Sequence, residues 1–486
     1  MSENHELLES YLKATSMVQQ QIESYNRFVN IGMHKIIETQ SVIEPEVSDF
    51  AIKLVGIRLE QPKIIEADSS VRHIMPNEAL ARNLTYAAPM YLTYVPLISG
   101  IEKKDSIGEV FIGELPVMVK SELCYTNSMG RDQLLKEGED PDDLGGYFII
   151  KGVERALIGV EDLAPNRIMC STDDGSVTAR VLSTSIAFKS RCTVTRNDYG
   201  VYSILFPTAA KGIDIVLILR ALGMSNKDIS SSTDNNDVKN DLLLNIEVSR
   251  AKDMTTDAAL EELGRLSAPS QPKSYQQKRG GMQIDTYILP HLGTNSESRG
   301  TKALYLIRMA ERASLVSYGY AKADDRDHYA NKRVRLAGDL LEDLFNESFK
   351  AFAKDIKYHI ERTTARGRKL TVRTSINPDT LTEKIRYSMG TGSWPGGHVG
   401  ISQVLDRVNM ISSLAHLRRI KSPLAKKHAH FKARDVHGTH IGKICPRETP
   451  EGQEVGLTRY LAIMAKVTVG TEESMIEQKV KELKLL

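Results

Sequence analysis

Apolar residues recur near the helical period at the start of the chain, at Leu8, Leu12, Met17, Ile22 and Tyr25, and IGMHKIIE at 31–38 continues the pattern. The style then changes. FAIKLVGIRL at 50–59, MYLTYVPLI at 90–98, EVFIGELPVMV at 109–119 and GGYFIIKGVERALI at 145–158 alternate or run fully apolar, which predicts strands separated by Gly, Pro and Asp clusters. RIMCSTDDGSVTARVLSTS carries an Asp-Asp-Gly hairpin signal, VYSILFP predicts a further strand, and IDIVLILRALGM turns helical. Residues 225–241, SNKDISSSTDNNDVKND, have few apolar anchors and predict a surface loop. The strongest helix spans 333–361. Leu336, Leu340, Leu341, Leu344, Phe345, Phe349, Phe352, Ile356 and Ile360 form its apolar stripe, opposite Asp339, Glu342, Glu347, Lys350 and Lys354. TGSWPGGHVG at 391–400 predicts a loop, VLDRVNMISSLAHLRRI a helix, and no internal repeat is present.

At 486 residues the chain has room for about three domains. Hydrophobic residues at 41% and charged residues at 26% exclude a wholly disordered or collagen-like chain. Cys124, Cys170, Cys192 and Cys445 are scattered without a Cys-x-x-Cys, which favours reduced thiols in a cytoplasm over a disulfide framework. The acidic start MSENHELLES does not read as a secretory signal, and the apolar run near Ile213–Leu222 is too short to span a bilayer, so no membrane partner is expected.

Lys and Arg number 64 against 62 acids, so a polyanion-binding surface must be local. The 400–460 window supplies one. Eleven basic residues (Arg407, Arg418, Arg419, Lys421, Lys426, Lys427, Lys432, Arg434, Lys443, Arg447, Arg459) face five acids, an excess of about +6 in a chain of net +2. A phosphate-binding surface and a solvated basic loop both fit that excess.

Other clusters are weaker. His428, His430, His437, His440 and Cys445 raise a zinc site, but their spacing matches no standard finger. DDRDH at 324–328 offers three carboxylates and an imidazole, either as magnesium ligands or as turn residues paired with Arg326, Lys332 or Arg333. In CPRETPEG, Pro450 fixes the backbone that presents Glu451, as a functional acid or as the cap of a turn. No Walker spacing and no Ser/His/Asp order stands out, so the residues describe a surface more than a reaction centre.

GGYFIIKGVERALI, DDRDHYANKRVRLAGDLLEDLF, ISQVLDRVNMISSLAHLRRI and THIGKICPRETPEGQEVGL closely resemble the N-terminal half of the second-largest subunit of multisubunit DNA-directed RNA polymerases. The opening IESYNRFVNIGMHKII resembles its archaeal and eukaryotic start, and the match runs in order along nearly the whole chain. Stopping soon after the TPEG motif, the chain looks like the split form of that subunit found in methanogen and related archaeal polymerases; a fragment of an unsplit subunit is the alternative.

The resemblance implies a mixed α+β multidomain fold built of protrusion, inserted lobe and fork modules. The protrusion would take 1–162, with a return segment at 333–385. The lobe would take 163–332 and the fork 386–486. No catalytic residue and no metal or other cofactor is expected in this chain, because the family holds its catalytic Mg²⁺ on aspartates of the largest subunit. Implied partners are the C-terminal companion half, the largest-subunit chains, small polymerase subunits, the DNA template and the nascent RNA. Fork loops would fall in TGSWPGGHVG and at about Leu424–Lys432. Arg418, Arg419, Lys421, Lys426, Lys427, Lys432 and Arg434 would then meet phosphates without reading sequence. Gln403, Asp406, His416 and Glu451 would lie near the active centre. The first three and Arg419 match the stretch that lines the rifamycin pocket in bacterial members, although Lys421 replaces that pocket's characteristic serine. The functional class expected is a polymerase subunit forming one jaw of the DNA cleft. A stand-alone nucleic-acid-binding scaffold is the second reading, and a nuclease using the 324–328 acids the third.

Overall fold

The structure, a computed structural model, describes residues 6, 10, 16–46, 50–98, 101–103, 107–173, 175–186, 188–209, 211–366, 372–470 and 473–483. The expected helical positions Leu8 and Leu12 lie outside them. The chain forms two compact units, 1–162 with 334–486, and 163–333.

The first unit is held together by two helices that meet end to side. Gln19–Arg27 continues through a π-turn at Phe28–Gly32 into Met33–Thr39, and its apolar side (Ile22, Tyr25, Phe28, Met33, Ile36) is buried. Ala337–Ala365 is the long helix that the apolar stripe predicts, and every stripe residue from Leu336 to Ile360 is buried. The unsatisfied amides at its N-terminus are capped from the other helix: Ala337 N–H donates to Gln21 Oε1 (3.0 Å) and Gly338 N–H to Ser24 Oγ (3.0 Å). A side chain at Gly338 would sit 1.9 Å from the Ser24 carbonyl, so only glycine allows this approach. Gln21 Nε2 meanwhile donates to the carbonyls of Leu157 (3.4 Å) and Leu417 (3.2 Å). One buried amide thus ties four chain segments.

Around this pair lie an antiparallel sheet, with Ala87–Ile98 pairing Phe50–Leu59 on one side and Gly108–Pro116 on the other, and a smaller sheet in which Ser402–Val404, Val153–Leu157 and Phe148–Ile150 are neighbours. The expected strand at 145–158 is therefore a hairpin, because Lys151 and Gly152 both take positive φ and reverse the chain. Gly159–Leu163 runs parallel to Arg419–Lys421, which pairs antiparallel with Thr458–Tyr460. TGSWPGGHVG contains a short hairpin, Ser393–Trp394 against His398–Val399, anchored by Trp394 Nε1 donating to Leu340 O (2.8 Å). The helix expected across 404–420 shortens to Met410–Leu417, because Asn409 caps it by accepting from Ser412 N (2.8 Å) and so sets its start.

The second unit is an antiparallel meander, Met169–Asp173, Ser176–Thr184, Lys189–Arg196, Tyr202–Leu205 and Ile213–Asp214, covered by helices. Residues 225–241 are not the loop that their composition predicts. Ser225 caps Asn226–Ser231 and Asn235 caps Asn236–Val248, with Ile229 and Val238 fully buried. Polar residues that look like loop here begin two helices. Among the described residues no helix is long and apolar enough to cross a membrane.

Candidate nucleic-acid interface

The 400–460 window divides into three environments. The first is a packed polar knot. Strand Ser402–Val404 presents Gln403 toward His416 on the neighbouring helix, and Nε2 of His416 lies 3.1 Å from Gln403 Oε1. On the other side of the ring, Nδ1 accepts from the Asp406 amide (3.1 Å), so the proton sits on Nε2 and is donated to Gln403. Burial, helped by the Arg419 charge, lowers the His416 pKa to about 4, which keeps the ring neutral. Gln403 Oε1 also accepts from an Arg419 terminal nitrogen (3.1 Å), and Gln403 Nε2 donates to Gly400 O (3.0 Å). Asp406 closes the intervening turn by accepting from Val408 N and Ser412 Oγ, each at 3.1 Å, and those bonds hold its carboxyl below the usual range. Lys421 donates to Val399 O (2.9 Å), and burial followed by the Lys426 charge lowers its pKa. Gln403, Asp406, His416, Arg419 and Lys421 are brought together, while Arg419 Nε is buried without an acceptor.

In the second environment cations serve as framework. Arg418, only 7% exposed, donates to the carbonyls of Met17, Ala462, Ile463 and Ala465 at 2.7–3.1 Å. The expectation that it meets phosphate is corrected: its guanidinium is turned inward onto carbonyls that would otherwise be unsatisfied. Arg434 likewise bonds the carbonyls of Ala429, Lys426 and His428 in its own loop, and those of Gln453 and Val455 across from it. A side chain at Gly456, where φ is +69°, would lie 2.2 Å from the Arg434 carbonyl, so the clamp requires that glycine. These carbonyl bonds give Arg434 a framework role in its own loop. Lys426 pairs with Glu454, and Arg407 with Glu154 (2.8 Å). Arg459 makes a buried two-pronged pair with Glu161 (3.0 and 3.1 Å).

The third environment faces outward. Lys427 and Lys432 are exposed and have no hydrogen-bond or ion-pair partner among the described residues. Glu451 is exposed too. It precedes the turn Gly452–Glu454 with its side chain making no cap bond, which removes the capping role considered for it.

Two other clusters resolve differently. Among the described residues no group of three or more His, Cys, Asp or Glu side chains is arranged to hold a metal, and this includes the histidines of 428–440. In the second unit the 324–328 acids build a turn: Asp324 accepts from Cys170 N (2.8 Å), Asp325 from Asp327 N (2.9 Å), and Asp327 faces Lys332 (3.6 Å). The sequence reading missed Gln20, Gln21 and the Glu161–Arg459 pair. The acids Glu161 and Asp162 closing the otherwise apolar run ALIGVEDL were the available signal for Glu161.

A family model described as RNA polymerase beta subunit matches residues 16–383, and one described as RNA polymerase Rpb2, domain 3, matches 403–467. Among curated relatives, DNA-directed RNA polymerase subunit Rpo2N of Methanocaldococcus jannaschii is 43% identical, with 98% of each chain covered. Subunit Rpo2N of Methanococcus vannielii is 40% identical over 99% of each. Subunit Rpo2 of Saccharolobus solfataricus is 40% identical over 99% of this chain, but over only 43% of its own length. The mixed α and β multidomain fold, with these matches, places the chain in the class of DNA-directed RNA polymerase subunits. The chain belongs to the RNA polymerase beta-subunit family, in the archaeal form that corresponds to the N-terminal half of the second-largest subunit.

Proposed function

We propose that this chain forms one wall of the nucleic-acid cleft in a DNA-directed RNA polymerase. Residues 1–162 and 333–385 serve as the protrusion, 163–332 as the lobe and 386–486 as the fork. It works in the cytoplasm with the C-terminal companion half, the largest-subunit chains and small subunits, around a DNA template and nascent RNA. Nucleotidyl transfer takes place at Mg²⁺ held by the largest subunit, and the isolated chain is inactive. The supporting observation is the division of labour among the basic residues. Arg418, Arg434 and Arg459 build the fork, which leaves Lys427 and Lys432 as outward ammonium groups suited to a sequence-independent phosphate grip. The knot of Gln403, His416 and Arg419 then holds Arg419 at a fixed position beside the RNA path. A photo-crosslinking amino acid at position 427, in polymerase assembled on a DNA–RNA scaffold, tests this. A crosslink to nucleic acid is expected, and crosslinks to protein alone would overturn it.

A further inference from the structure

Gln20 stands one residue before the amide that organises the core, yet it faces a different partner. It is 2% exposed, and its Oε1 accepts from Val467 N–H at 2.8 Å. Its Nε2 is buried and has no hydrogen-bond partner. Gln20 also belongs to the lining of a small open depression bounded by Ser16, Met17, Arg418, Ile463, Ala465 and Lys466. A buried amide donor left unmatched is costly, and such groups in native proteins are nearly always paired.

The segment at the mouth is pinned by polar bonds. Arg418 holds the carbonyls of Ala462, Ile463 and Ala465, Gln20 holds the Val467 amide, and Lys466 pairs with Glu23 (3.1 Å). Its large apolar side chains nevertheless point outward, Ile463 at 63% and Met464 at 55% exposure. A backbone fixed this firmly, with two apolar groups presented beside an unmatched donor, is shaped to receive another chain.

We infer that Ile463, Met464 and the Gln20 depression form a docking site for the companion half of the subunit, which packs an apolar residue on Ile463 and Met464 and places an acceptor oxygen against Gln20 Nε2. The inference rests on the proposed assembly with that half. Two findings support this occupant. The domain-3 family match extends to residue 467, which includes this segment, and the Saccharolobus relative carries more than half of its length outside the region that matches this chain.

The test is the affinity of the full chain for the C-terminal half of the second-largest subunit from the same genome, measured by titration calorimetry. Gln20→Glu keeps the acceptor for Val467 and turns the free donor into an acceptor, so affinity is expected to fall at least tenfold. Ile463→Asp is expected to do the same, and its exposed position leaves folding intact. Val248→Asp, on an exposed helical position of the second unit, is expected to bind as the parent does. Parent-like affinity of Ile463→Asp and Gln20→Glu, with the parent itself binding, would overturn the docking site and leave the assembly standing. Failure of the parent chain to bind would overturn the assembly and the site with it. Thermal melts separate lost affinity from lost folding in Gln20→Glu, and if that variant melts early, Ile463→Asp alone decides.

Discussion

Nε2 of His416 donates to Oε1 of Gln403 across 3.1 Å, and the same oxygen receives an Arg419 nitrogen at 3.1 Å. A neutral imidazole therefore helps to set where a cation stands. Protonation would put a donor where Nδ1 now accepts the Asp406 amide, and would add positive charge beside Arg419.

This makes stability depend on pH in a defined direction. His416 is 4% exposed, with its pKa lowered to about 4 against about 6.5 when unfolded, so the unfolded chain binds the extra proton first. Stability contributed by the neutral ring is present above pH ~6.5 and is lost as pH falls toward 4, by up to about 3 kcal/mol. Urea titrations between pH 7 and pH 4 should show a proton-linked slope that His416→Gln reduces. Equal slopes in both proteins would place the titration elsewhere.

Arg418→Met should destabilise the first unit by on the order of 3 kcal/mol, since it strips donors from the carbonyls of Met17, Ala462, Ile463 and Ala465. Denaturant midpoints measure this. A neutral result would mean that the carbonyls find other donors.

Glu161→Gln should cost about 3–5 kcal/mol by leaving the Arg459 charge buried and unpaired. Combining Glu161→Leu with Arg459→Met should recover most of that loss, because the desolvation of both charges disappears together. A double variant as unstable as the single one would show that the pair does more than neutralise itself.

Glu451→Gln should leave subunit incorporation unchanged while altering the rate or fidelity of elongation. Its carboxylate is exposed and caps nothing, so no local stability depends on it. Single-nucleotide addition on a preassembled scaffold, with incorporation checked by gel, separates the outcomes. Normal kinetics with reduced incorporation would assign Glu451 to assembly.

Legibility in the sequence followed how local the cause was. The stripe from Leu336 to Ile360 is a short-range repeat, and the helix appears where that repeat predicts it. At 225–241 Ser, Asn and Asp serve helix caps as readily as loops, and only the burial of Ile229 and Val238 separates the two. The basic window was visible as charge, but composition cannot distinguish Arg418 from Lys427. What buries Arg418 includes a carbonyl 401 residues away, at Met17. The Gln403–His416–Arg419 knot was visible as neighbouring positions through the family resemblance, whereas the tautomer and the shared oxygen needed the fold.

The outward lysines give the most direct test. Polymerase assembled with Lys427→Ala and Lys432→Ala should bind downstream DNA with a slope of log affinity against log salt reduced by roughly 0.9 per lysine, and Arg434→Met should destabilise the loop through its lost carbonyl bonds. A slope that falls by nearly two in the double lysine variant is the expected result. An unchanged slope would contradict the assignment of this surface to nucleic acid.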